Sequence, residues 1–244
     1  MELEINESGE GRPVLILHGG GGPFTVAGIA EHVAQTVHAI APTHPGWNGT
    51  DRPEQIQSIA DLAATYRDYL SQRDLSDVLV IGSSLGGWTA MELALLTDRV
   101  SALVLIDSVG VELPGAPIRD FFGLDARGVA EYSFHDSEKF YRDPATIPAE
   151  QAAVQRANMA TMRVLAGDPY MHDPTLLGRL DQLRVPTLVI WGESDRIVTP
   201  AYGEALSKAI PGATFEVIDE AGHLPQLEQP AKTFELIDGA LSTH

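Results

Sequence analysis

The chain contains no cysteine in its 244 residues. Disulfides, thiolate metal sites and thiol catalysis are therefore excluded. Positive charge is also scarce: 16 Lys and Arg stand against 34 Asp and Glu, a formal net charge of −18. Nucleic acid and anionic membrane are not expected partners, because both select cationic surface. The acidic excess describes a solvated surface and defines no site. No apolar run approaches the ~18 residues of a membrane span. The opening residues MELEINESGEGRP hold neither a basic n-region nor an apolar h-region, so the expected location is the cytoplasm. No His, Asp or Glu cluster has metal-ligand spacing, and the glycine runs lack the Gly-Lys-Ser/Thr of a phosphate loop. Neither a metal nor a cofactor is expected; the partner is a small molecule. Internal repeats and low-complexity linkers are missing too, and nothing bears on oligomeric state. What is left, 44% apolar and 20% charged, suits one globular domain or one domain with an insertion.

What is present is an alternation of apolar runs and amphipathic stretches. Residues 3–5 can form a short first strand, turned at Gly9-Glu10-Gly11. Residues 13–18 are continuously apolar up to His18, as a strand buried on both faces requires. Gly19-Gly20-Gly21-Gly22-Pro23 follows, then a helical pattern over 24–35 and a strand over 37–41. Ser58 is placed to cap a helix whose Ile59, Leu62, Ala63, Tyr66 and Leu70 share one face. Strands over 78–81 and 102–106 enclose a helix over 88–96. The order β-α-β-α-β-α-β implies a parallel sheet with helices on both sides and a site at the strands' carboxyl ends. From Val111 the texture changes: glycine and proline are scattered, aromatics concentrate, and no buried-strand run occurs for some seventy residues. This stretch, 111–182, reads as a mostly helical insertion, with helices over 148–166 and from Asp173-Pro174 to Leu180. The strand pattern resumes over 186–191 and 214–218 and ends in a helix over 230–241.

Three residues at strand ends carry the chemistry. Ser84 is the centre of Gly82-Ser83-Ser84-Leu85-Gly86, between an apolar strand and a helix. That is the pattern of a nucleophile elbow, where a Cβ on either glycine would crowd the turn. A serine hydroxyl needs a base, and the base needs a carboxylate to fix its tautomer. Asp195 follows the strand over 186–191, and His223 follows the strand over 214–218. The order Ser84, Asp195, His223, each after a different parallel strand, brings three distant residues to one sheet edge.

With these motifs the chain resembles the α/β-hydrolase superfamily. The matches are His18-Gly19-Gly20, Gly82 to Gly87, Gly192 to Asp195, and Gly222-His223 with Pro225 and Glu228-x-Pro230. The resemblance implies a doubly wound, mostly parallel α/β sheet of about seven strands, eight if a further N-terminal strand is present. It implies a core of 1–110 and 183–244, covered by a helical cap at 111–182. It also implies that the backbone N–H groups of Gly20 and Leu85 form an oxyanion hole, which consecutive glycines favour by allowing close approach. Two departures stand out: only about twelve residues precede Pro13, where the family usually has two antiparallel strands, and Thr43-His44 stands where an Asp is usual.

Several residues have competing readings. Asp107, ending the strand after the elbow, is a rival acid or a cap for the insertion's first turn. Gly21, His44, Trp47 and Trp88 are candidate pocket residues, although core packing is the plainer role for the tryptophans, Trp191 included. His18 is expected to support the oxyanion loop, Glu193 to be variable, and His135 and His172 to be exposed in the cap. The expected activity is serine-catalysed hydrolysis of a small or medium, largely apolar carboxylic ester. Carbon–carbon hydrolysis of a ring-cleavage product, or lactone opening, uses the same triad; a cap arginine (Arg119, Arg127, Arg156 or Arg163) reaching the pocket would favour these. A non-catalytic ligand-binding hydrolase fold is the third reading, and loss of a triad residue would favour it; none is missing. A serine at the elbow argues against a dehalogenase, which needs a carboxylate nucleophile.

Overall fold

The computed structural model describes residues 3–243. Its strands are β1 (Ile5–Ser8), β2 (Pro13–Leu17), β3 (His38–Pro42), β4 (Val78–Ser83), β5 (Val100–Ile106), β6 (Thr187–Gly192) and β7 (Thr214–Ile218). They form one seven-stranded sheet in the order β1-β3-β2-β4-β5-β6-β7. Only β1 runs antiparallel, along β3; every other pairing is parallel. β4 lies at the centre with all six residues buried, which is why its sequence is continuously apolar. β7, at the edge, buries only Ile218 completely.

Side chains alternate across each strand and so build two cores. Leu15, Leu17, Val78, Val80, Leu103 and Leu105 face one side, with Val14, Ile16, Leu79, Ile81, Val104 and Ile106 on the other. The first side is covered by α2 (Ile59–Gln72) and α3 (Leu85–Leu96), the second by α1 (Ala27–Val33) and, later in the chain, the C-terminal helix. Ser58 caps α2 as expected: its Oγ accepts from Asp61 N at 3.1 Å, and the five residues of the expected apolar face are all buried.

Three sequence expectations are corrected. The first strand is Ile5–Ser8 rather than 3–5, and it is the single strand before β2 among the described residues. The 24–35 helix is split: Pro23–Thr25 makes a 3-10 turn, and Val26, at φ −120° and ψ 3°, breaks the path before α1. The helix expected from Asp173-Pro174 is instead a turn followed by a 3-10 helix, Leu177–Gln182.

Between β5 and β6 the chain forms α4 (Ala126–Ser133), α5 (Ser137–Phe140) and α6 (Ala149–Ala166), with 3-10 turns at Phe121–Gly123 and Pro144–Thr146. Four short pieces each begin with an aspartate, Asp120, Asp125, Asp136 and Asp143, whose carboxylate accepts a first-turn N–H. Such local caps hold helices too short to persist by propensity alone. α6 docks on the core through Asn158, which exchanges hydrogen bonds with Asn48 at 2.9 and 3.1 Å, and through Thr161 Oγ1 to Gly46 O. After β6 come α7 (Pro200–Ala209), α8 (Pro225–Glu228) and α9 (Pro230–Thr243), which is the C-terminal cover of the second core. No described helix is long and apolar enough to cross a membrane.

Candidate active site

β4 delivers the chain to Ser84, which adopts φ 55° and ψ −115°. A non-glycine residue there is strained, and the surrounding turn must enforce it. The turn is very tight: a Cβ added to Gly82 would lie 2.4 Å from Gly86 O, and one on Gly86 only 2.1 Å from Leu17 O. The loop after β2 passes directly over the serine, so that a Cβ on Gly19 would sit 3.0 Å from Ser84 Cβ. Gly20 lies outside any helix or strand and Leu85 is the first residue of α3; neither amide donates to a protein acceptor among the described residues.

β6 and β7 bring up the other two residues. His223 Nε2 lies 2.9 Å from Ser84 Oγ, and His223 Nδ1 lies 2.7 Å from Asp195 Oδ2. The arrangement suits an imidazole with its proton on Nδ1, donating to Asp195 and accepting the serine O–H on Nε2. Asp195 is buried, and its Oδ1 accepts Ile197 N at 2.8 Å and Val198 N at 3.0 Å, so the carboxylate cannot rotate away. The histidine is seated by the insertion as well: its N–H donates to Ser133 O at 2.6 Å. Glu228 ties the two segments, accepting from Gly222 N at 2.6 Å and from the His135 and Asp136 amides at 3.0 and 3.1 Å.

A sequence model of the alpha/beta hydrolase family matches residues 14–236. The chain belongs to the α/β-hydrolase family. This α/β hydrolase is 28% identical over 250 residues to a 2-hydroxy-6-oxononadienedioate/2-hydroxy-6-oxononatrienedioate hydrolase from Pseudomonas putida, covering 93% of this chain and 87% of the relative. Among solved structures, an N-acyl homoserine lactone degrading enzyme is 26% identical with a TM-score of 0.78, covering 97% of this chain and 96% of the other. A meta-cleavage product hydrolase superposes with a TM-score of 0.80 at 20% identity, over 99% and 95% of the two chains, and so shares the fold.

Behind the glycine loop of this α/β hydrolase lies a buried network that sequence reading only half found. His18 Nδ1 meets Gly19 O at 2.7 Å, and His18 Nε2 accepts His44 N–H at 3.0 Å. His44 Nε2 meets His18 O at 2.8 Å, while its Nδ1 faces the Tyr66 hydroxyl. A carbonyl only accepts, so His18 carries its proton on Nδ1, His44 on Nε2, and Tyr66 donates. Trp47 Nε1 donates to Gly20 O at 3.0 Å. The Gly19 carbonyl is anchored by His18 and by Gly22 N at 3.1 Å, which turns the trans-related Gly20 N–H the opposite way. His18 thus supports the loop as expected.

Burial lowers His44 from the ordinary 6.5 to about 4, and burial together with His44 holds His18 well below its usual value. The unfolded chain binds the His44 proton below pH 6.5, whereas the folded protein refuses it until about 4. Stability from this group is therefore full above pH 6.5 and falls as pH drops toward 4, by ~3 kcal/mol in all. Urea unfolding at pH 7.5, 5.5 and 4.5 is expected to show that slope in wild type. His44→Gln, starting less stable, is expected to have a shallower slope; parallel curves would refute the assignment.

Ser84 and His223 open into a cavity of about 260 Å³ between core and insertion. Gly19, Gly20, Gly21 and Phe24 line it from the core; Ile118, Phe121, Val129, Phe134, Met162 and Tyr170 line it from the insertion. No Asp, Glu, Lys or Arg side chain lines it among the described residues. Of the four candidate pocket residues, Gly21 lines this cavity, and His44, Trp47 and Trp88 do not. His44 and Trp47 are buried behind the loop they brace, and Trp88 is buried under Gly110, where an added Cβ would meet the indole at 2.7 Å. The arginines of the insertion point elsewhere. Arg119 stacks on Tyr132, Arg127 pairs with Glu138, Arg163 binds Phe122 O, and Arg156 is exposed. Glu193 and His135 are exposed, His172 is half-buried, and Trp191 is core, with Nε1 donating to Val198 O.

Asp107 does not cap the insertion. It is buried at the end of β5 and its Oδ1 accepts Gly192 N–H at 3.0 Å. Asp107, Asp195 and His223 are the one His/Asp/Glu group of the described residues whose donor atoms converge, within 4.8 Å. Both ring nitrogens of His223 are already engaged by Asp195 and Ser84, so the group is a hydrogen-bonded chain rather than a ligand set.

Proposed function

We propose that this α/β hydrolase is a serine hydrolase of small or medium, largely apolar carboxylic esters, with 111–182 as its cap. Ser84 Oγ attacks the ester carbonyl while His223 takes its proton, and Asp195 orients and stabilises the imidazolium. The Gly20 and Leu85 amides receive the developing oxyanion; losing one such donor typically lowers the rate ~10²–10³-fold. The imidazolium returns its proton to the departing alcohol, and His223 then activates water to release the acid. Every step is served by groups of this chain.

The observation that carries this reading is the Ser84–His223–Asp195 chain opening into an apolar cavity lined, among the described residues, by no Asp, Glu, Lys or Arg. The substrate for which the Pseudomonas relative is named is a dioate with two carboxylates, and desolvating them without a cation is costly. The uncharged lining thus disfavours that substrate. It suits a lactone, a cyclic neutral ester, and the 26% identical lactone-degrading enzyme makes lactone opening the second reading. The cavity falls a little under the ~300–1,000 Å³ common for drug-sized ligands, which favours short acyl groups.

The test is a panel of p-nitrophenyl esters from acetate to laurate, an N-acyl homoserine lactone and a ring-cleavage dicarboxylate. We expect kcat/KM to peak at short to medium esters and fall at least ~10-fold for laurate. Turnover of the dicarboxylate alone, with Ser84 still labelled by a fluorophosphonate, would replace ester by carbon–carbon hydrolysis.

A further inference from the structure

The buried acid behind the triad is double. Asp195 accepts three N–H groups, those of Ile197, Val198 and His223 Nδ1. Asp107 accepts one, from Gly192, and its Oδ2 is buried with no donor facing it. One oxygen of each carboxyl and one ring nitrogen of His223 lie within 4.8 Å of one another. Two carboxylates this close in a dry site cannot both ionise. The charge belongs on the better-solvated partner, Asp195, and a proton on Asp107 turns its orphaned oxygen into a donor. Burial first, then the Asp195 charge, with a smaller push from Glu228, holds the Asp107 carboxyl well above the usual carboxylate range. Asp195, His223 and Glu228 are the titratable groups around it.

We propose that Asp107 is a positioning residue, a neutral carboxylic acid that donates to the Asp195 carboxylate and stands as a reserve acid for His223. In the intact site one proton is held between two carboxyls, and it goes to neither substrate nor water during turnover. When Asp195 is removed, the repulsion vanishes. Burial still favours the neutral acid, but the imidazolium formed in turnover sets a positive charge facing it, so Asp107 gives its proton to solvent and its carboxylate stands in place of Asp195. This inference rests on the triad assignment above, and it explains why a second carboxyl is tolerated in so dry a place.

The test uses Asp107→Leu, Asp107→Asn, Asp195→Ala and the double variant Asp195→Ala/Asp107→Asn, with p-nitrophenyl butyrate as substrate and thermal unfolding as the fold control. Asp107→Leu is expected to lower kcat ~10²-fold with little change in KM, and Asp107→Asn, whose amide can still donate, to recover most of that loss. Asp195→Ala is expected to lose ~10²-fold and the double variant ~10⁴-fold, the larger figure being that of a triad without its acid. The residual kcat of Asp195→Ala should climb with pH along a limb that the double variant, which keeps only the His223 base, does not share. Equal loss in the two Asp195 variants would overturn the reserve role; Asp107→Asn as damaging as Asp107→Leu would overturn the donor role. Failure of the triad assignment looks different, because Ser84→Ala would then retain turnover.

Discussion

Ser84→Ala is expected to lower kcat about 10⁶-fold and to abolish fluorophosphonate labelling, with folding unimpaired. The magnitude is that of serine hydrolases whose nucleophile is deleted, since base and acid then have nothing to act through. Geometry makes the loss selective. Ser84 already carries its Cβ through φ 55° and ψ −115°, so alanine adds no strain, and only the hydroxyl at 2.9 Å from His223 Nε2 disappears. The midpoint of thermal unfolding should move little, because no buried partner is orphaned in the partly open site. Residual activity from the proposed oxyanion amides and binding can reach ~10³–10⁴ over water and must not be mistaken for nucleophilic turnover. Retention of more than a few per cent of kcat by purified Ser84→Ala would remove the serine from the mechanism.

Gly86→Ala is the substitution expected to damage the fold most. Its Cβ would meet Leu17 O at 2.1 Å, Leu17 C at 2.6 Å and His18 O at 2.7 Å, all backbone atoms. A side chain could swing aside; β2 and the histidine loop cannot without breaking the sheet register beside β4. Either α3 lifts off or the glycine loop is pushed away, and both routes disturb the Gly20 and Leu85 amides together. We expect a loss of ~3 kcal/mol or more, at the upper end for overpacked sites. At ~2–4 °C per kcal/mol for a chain of roughly this size, the unfolding midpoint should fall about 6–12 °C. A displacement near 1 Å at the proposed oxyanion site should also lower kcat ~10²-fold. Gly239→Ala is the control: a Cβ there meets nothing within 4 Å inside α9, so stability should hold or rise. Matching midpoints for the two variants would refute the steric account.

What the sequence made legible follows the physics of burial. β2, β4, β5 and β6 are buried on both faces, so each reads as a continuous apolar run; α2 has one buried face and a serine cap, so its period and start are both written out. The spatial meeting of Ser84, Asp195 and His223 could be expected because parallel strands bring their carboxyl ends to one edge. The insertion was opaque for the opposite reason. α4 and α5 are stabilised by aspartate caps and tertiary contact, and pieces of eight and four residues display too little period to read. α7 passed unread although Pro200 opens it. Direction was the other blind spot. Whether Trp47 looks into the pocket or braces Gly20 from behind depends on packing between residues 27 positions apart. The partners of Asp107 and Glu228 lie 85 and up to 93 residues away, and no local pattern announces them. Glu228 could have been suspected from its place beside the histidine motif, Tyr66 only as core.

Glu228 also says something about how this protein could be taken apart. Its carboxylate is the rivet through two sheets of metal, with the amides of His135 and Asp136 on one side and that of Gly222 on the other. Exchanging the segment 111–182 alone for that of another hydrolase would transplant a new roof while discarding half of the bearing on which His223 turns. A working chimera must carry 220–228 along with the roof. The separable part of this molecule is larger than the insertion that the chain order suggests.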